Sequence, residues 1–89
     1  MRAVVTVMGV DKKGIIARVS TCLSENDINI LDINQTIMQD IFTMVMLVDI
    51  TNEETKFNGV SEKLAKIGEE MGLEIRIQHE KIFRSMHRI

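Results

Sequence analysis

An α+β fold in the order strand, helix, strand, strand, helix, strand is predicted by three features of this sequence. Apolar residues alternate or run on unbroken over residues 2–10, 28–38, 41–50 and 73–77, as strands do. Two stretches between them, 12–25 and 55–71, switch to apolar spacings of three and four. Polar turn residues stand at each switch. With 89 residues there is room for one compact domain, so 1–79 reads as that domain and 80–89 as a C-terminal tail belonging to it.

The first strand, Arg2 to Val10, sets Ala3, Val5 and Val7 against Val4, Thr6 and Met8. It is apolar on both faces, which predicts a central strand. A polar turn, Gly9-Val10-Asp11-Lys12-Lys13-Gly14-Ile15-Ile16, joins it to a helix from about Lys12 to Glu25. On that helix Ile15, Val19, Cys22 and Leu23 form the apolar stripe, and Asn26-Asp27 ends it, Asn being the residue best suited to a left-handed cap after glycine. Asp11 reads as the helix N-cap, its carboxylate accepting from backbone N–H groups two or three residues on. Free amides, the positive end of the helix dipole and a glycine that admits another backbone at close range make this turn a receptor for an anionic group such as a carboxylate.

From Ile28 to Met38 the chain is extended again but changes phase: Ile28 and Ile30 share one register, Leu31, Ile33 and Ile37 the other. A phase change moves later side chains to the opposite face, so a bulge is predicted near residues 30–32, beside the polar residues Asn29, Asp32, Asn34 and Gln35. Gln39-Asp40 makes the hairpin turn into Ile41–Ile50, where Phe42, Met44, Met46, Val48 and Ile50 line one face and Val45 and Leu47 the other. After a connection at 51–54, Phe57, Val60, Leu64, Ile67 and Met71 give the clearest helical stripe in the chain. Gly72 caps that helix, and Leu73–Ile77 follows as a half-buried strand. In the tail, Ile82, Phe83, Met86 and Ile89 fit a short helix.

Two helices on one face of a four-stranded antiparallel sheet is the ferredoxin-like βαββαβ arrangement, with the first and third strands central and the second and fourth at the edges. The helices cover one face, yet both central strands are apolar on two. The open face or an edge therefore calls for another cover, and a homodimer supplies it economically.

The composition excludes several classes of function. A net charge of −2 argues against a general polyanion binder, although the last ten residues carry three bases and one acid, leaving −4 on the rest. No apolar run reaches the length of a membrane span, and the chain reads as soluble and cytoplasmic. Cys22 is the one cysteine; it excludes an internal disulfide and reads as a small buried residue. His79 and His87 have no Ser, Cys or acid placed with them in a triad, so no catalytic residue is assigned and the chain reads as non-enzymatic. No His-x-x-x-His, Cys-x-x-Cys, calcium-loop or phosphate-loop spacing is present, so no metal or cofactor is assigned. The three aromatic residues, Phe42, Phe57 and Phe83, leave the central first strand without the base-stacking rings an RNA-binding module of this topology needs. The seven methionines read mainly as core filling, Met8, Met44, Met46 and Met71 among them.

The stretch Val7-Met8-Gly9-Val10-Asp11-Lys12-Lys13-Gly14-Ile15-Ile16-Ala17, the segment Asn29-Ile30-Leu31-Asp32-Ile33-Asn34-Gln35 and the spacing of the elements resemble the ACT domain family, small-molecule sensors that regulate amino-acid metabolism. The ending Ile82-Phe83-Arg84-Ser85-Met86-His87-Arg88-Ile89 is similar to that of small stand-alone ACT proteins related to the ACT half of the glycine cleavage system repressor. The resemblance implies an amino acid bound between subunits of a homodimer. Asp11 would receive its ammonium, the N–H groups of Lys13, Gly14 and Ile15 its carboxylate, with Lys12 in the same turn. Asn29, Leu31 and Asp32 of a second copy would close the pocket. Many ligand-binding members have proline where Lys13 stands, which implies a looser turn or a different anion here. A downstream effector protein is expected, since no effector domain is attached. The alternative is an interaction module that dimerises or grips another protein and binds no small molecule.

Overall fold

The chain runs β1 (Arg2–Val10), α1 (Ile15–Glu25), β2 (Ile28–Met38), β3 (Ile41–Ile50), α2 (Glu53–Met71), β4 (Leu73–His79) and α3 (Glu80–Met86). This order comes from a computed structural model that describes residues 1–51 and 53–86, with the side chains of all of these but 53–55 and 86. His87, Arg88 and Ile89 of the expected tail helix, and Asn52 of the connection, lie outside the described residues.

The four strands form one antiparallel sheet in the order β2-β3-β1-β4, so the strands that are apolar on both faces are the central ones and the ferredoxin-like expectation holds. Antiparallel pairing follows from the tight hairpin at Gln39-Asp40 and from the two helical crossovers. Register then decides the faces. Ala3, Val5 and Val7 of β1 stand level with Val48, Met46 and Met44 of β3 and with His79, Ile77 and Ile75 of β4, under the helices. Val4, Thr6, Met8 and Val10 point to the open face.

The core lies between that covered face and the stripes of α1 and α2. Ile15, Val19, Cys22 and Leu23 of α1 and Val60, Leu64 and Ile67 of α2 close over alternate residues of β3, from Phe42 to Ile50, all of them buried. α2 reaches β4 at short range because position 68 is glycine: a Cβ there would stand 2.6 Å from the carbonyl oxygen of Leu73. Gly72, at φ 67°, turns the chain out of α2 into β4 as a C-cap glycine does.

Several expectations need correction. α1 begins at Ile15 and not near Lys12, and its N-cap is Gly14 in the left-handed region (φ 86°) with no side-chain cap bond, so Asp11 does not cap it. The backbone N–H of Asp11 is instead tied to the carbonyl of Asp40 at 2.8 Å, which draws the strand end to the hairpin before the helix can start. At the far end of α1 the left-handed residue is Asp27 (φ 56°), while Asn26 serves by its side chain, its Nδ2 donating to the Cys22 carbonyl at 2.7 Å. Met8 is on the open face and 54% exposed, not in the core, because its parity is that of Val4 and Thr6. α2 starts at Glu53, inside the expected connection, and β4 continues to His79.

Candidate functional site

The turn between β1 and α1 is built by one glycine. At φ 86° Gly14 adopts a conformation that other residues take only under strain, and no atom lies within 4 Å of where its Cβ would be. Its role is therefore to aim the chain, not to admit a neighbouring backbone. It sends α1 off with the N–H groups of Ile15, Ile16 and Ala17 in the first turn, where a helix has no internal partner for them. The first bond of the helix runs from the N–H of Arg18 to the Gly14 carbonyl, 2.9 Å.

Of the residues expected in the site, Asp11, Lys12, Lys13 and Gly14 are exposed and adjacent, and Ile15 is buried beneath them. Lys12 is already engaged. Its Nζ donates to the carbonyl of Met71 at 2.7 Å, satisfying a free acceptor at the C-terminal end of α2 and placing positive charge at the negative end of that helix dipole. A hollow of about 310 Å³ opens between the turn and the hairpin end of β2, bounded by Asp11, Gly14, Ile16, Gln35, Ile37 and Phe42.

Asn29, Leu31 and Asp32 are elsewhere on β2. Within one chain they do not meet the turn. The strand pairs regularly with β3 up to Ile30↔Val48 and resumes at Asp32↔Leu47, so Leu31 is the extra residue of a bulge where the phase change placed it. Asp32 accepts the N–H of Ile33 on its own Oδ1 at 2.9 Å, a local bond of the kind Asp makes where a ladder is interrupted. Beyond the bulge, residues 31–38 are all exposed, with Leu31, Ile33, Ile37 and Met38 among them. Among the described residues β2 pairs with β3 alone, so the backbone groups along its outer edge have no partner strand there.

Gln35, expected with the bulge, and Ile37, which was not singled out, both border the turn of their own chain. Their signal lay in parity: counting back from the Met38↔Ile41 pair sets them on the helix-covered face, at the end where Asp11 is tied to the hairpin.

No three His, Cys, Asp or Glu residues cluster as a metal would need among the described residues. No helix there is long and apolar enough to cross a membrane. Burial pushes the Cys22 thiol above its ordinary pKa; Lys63 partly offsets this and Glu25 adds to it, so the sulfur is a protonated core group at neutral pH.

Fold and turn together define a class: a ferredoxin-like domain whose first helix starts, at a glycine turn, beside an edge strand. The sequence profile of the ACT domain matches residues 2–78, and the chain belongs to the ACT domain family, whose members are regulatory ligand-binding modules. It is 54% identical, over 97% of its length and 96% of the relative's, to a UPF0237 protein of Methanococcus maripaludis. An ACT domain protein from Streptococcus pneumoniae superposes with a TM-score of 0.79 at 37% identity, over 93% of each chain. A glycine cleavage system transcriptional repressor superposes with a TM-score of 0.78 at 23% identity, over 86% of this chain and 44% of that one, a likeness of fold.

Proposed function

We propose that this protein is a non-enzymatic regulatory module of the cytoplasm, a homodimer that binds a small amino acid between its copies and passes its occupancy to a separate effector protein. The observation that carries this reading is the placing of helix-start N–H groups, without partners inside the helix, beside an apolar edge strand that has no strand on its outer side among the described residues. Two copies joined along β2 would cover Leu31, Ile33 and Ile37 and pair the free backbone groups. The same approach brings Asn29, Leu31 and Asp32 of the second copy towards the first copy's turn. There Asp11 receives the ligand's ammonium, and the N–H groups of Lys13 and Gly14 in the turn, with that of Ile15 at the helix start, its carboxylate. Lys12 contributes by holding the turn against α2. Calorimetric titration of the dimer with a panel of amino acids tests the proposal: a saturable heat for at least one of them is expected, and no heat for any at millimolar concentrations overturns it.

A second reading, a pure interaction module, draws on the open face, where Met8, Val10, Met38 and Ile41 are each at least half exposed. Removing residues 80–89 separates the two. A variant that still dimerises and binds an amino acid but no longer retains a protein partner favours the second.

A further inference from the structure

A second hollow, of about 530 Å³, lies at the opposite end of the sheet from the turn, where β4 runs into α3. Its apolar wall is formed by Met1, Phe57, Ile77 and Ile82, and its polar residues include Asn58 and His79. This volume falls in the range of pockets that take small molecules, roughly 300–1,000 Å³.

The chemistry of the hollow is set by His79. Its Nδ1 accepts the backbone N–H of Lys81 at 3.1 Å, the bond that starts α3. Only a neutral imidazole carrying its proton on Nε2 can accept there. The Nε2–H is then the ring's one donor, and it makes no hydrogen bond among the described residues. Asn58, exposed at the rim, adds an amide that is likewise without a bond in the described residues. Ile82, another wall residue, is 55% exposed, while Ile77 is almost wholly buried. An apolar container with a directed donor suits one kind of guest.

We propose that this hollow is a binding site, within a single protomer, for a small apolar molecule bearing one acceptor group: an aryl or branched-alkyl carboxylate or amide. The apolar body lies between Phe57, Ile77 and Ile82, and the oxygen accepts from His79 Nε2–H. Carboxylate and carbonyl share the acceptor chemistry. Because Ile82 belongs to α3, which is anchored to β1 by the Arg2–Glu80 ion pair at 3.1 Å, a guest adds a further contact holding α3 to the sheet. The site is remote from the turn and needs no second copy, so it stands or falls independently of the intersubunit amino-acid site.

The test is a backbone-amide NMR titration of the full chain with benzamide, benzoate and toluene. Benzamide or benzoate is expected to move the resonances of Asn58, Ile77, His79 and Ile82 saturably, and toluene to bind about tenfold more weakly, the loss of one hydrogen bond. The stronger of the first two tells which oxygen the site prefers. Ile82→Glu, at an exposed position, should weaken benzamide and benzoate by about tenfold or more. His79→Leu should bring them down to the affinity of toluene. The proposal is overturned if none of these resonances moves at millimolar concentrations, if toluene matches the oxygen-bearing probes, or if Ile82→Glu changes nothing. Shifts confined to 11–17 also contradict it.

Discussion

β3 and β2 are neighbours of nearly equal length, 10 and 11 residues, both mostly apolar, and the fold treats them oppositely. On β3 every second residue from Phe42 to Ile50 is buried, under helices on one side and flanked by strands on both edges. On β2 burial stops at the bulge, and Ile33, Ile37 and Met38 are 44%, 54% and 71% exposed. Composition alone would make both of them core strands. The difference teaches that one chain completes its centre but not its edge, and that Leu31 marks where self-sufficiency ends.

The largest effect is expected on the buried strand. Met46→Ala should cost about 2–5 kcal/mol, as truncations in a closed core do, while Ile33→Ala should cost under about 1 kcal/mol in dilute monomer. Urea unfolding of the two variants reads both, and equal costs would mean the two strands are not different in kind. Ile37→Asp carries the opposite signature. It should leave monomer stability within about 0.5 kcal/mol of the parent but weaken self-association by about tenfold or more, measured by sedimentation equilibrium.

Deleting Leu31 should separate folding from binding. Since Ile30 and Asp32 already face opposite sides, the shortened strand pairs without interruption and every later residue keeps its face. Stability should change by less than about 1 kcal/mol, whereas the proposed amino-acid binding, which would need Leu31 and the bulge, should be lost. Lys12→Met should have the smallest effect, about 0.3–1 kcal/mol from the lost contact with the end of α2, in a thermal melt at low salt.

Parity and phase make much of this legible in the sequence. The central strands, the bulge at 30–32 and the closure of α2 at Gly72 all follow from which face each apolar residue must take. Conformation at single residues was less legible. Asp11 has the side chain of an N-cap, but the bond from its N–H to Asp40, a contact between residues far apart in sequence, draws it to the hairpin and leaves capping to a glycine with φ 86°. Met8 was misplaced for a different reason: in a strand apolar on both faces, alternation does not say which face the helices cover. As for the candidate site, the turn was visible as a polar interruption between two apolar elements. The nearness of Gln35 and Ile37 to Asp11 was not, because it depends on the hairpin register.

Complementation between two defective variants tests the central claim, a site shared between the turn of one copy and β2 of the other. Gly14→Val disables the turn and Asp32→Lys the strand. Each variant should dimerise yet give no heat with the amino acid that binds the parent. In a mixture, about half the dimers are hybrid and each hybrid holds one intact site, so about a quarter of the parent's binding sites should return. A mixture as silent as its components, formed under conditions where hybrid dimers are present, would contradict the shared site, as would full binding by either variant alone.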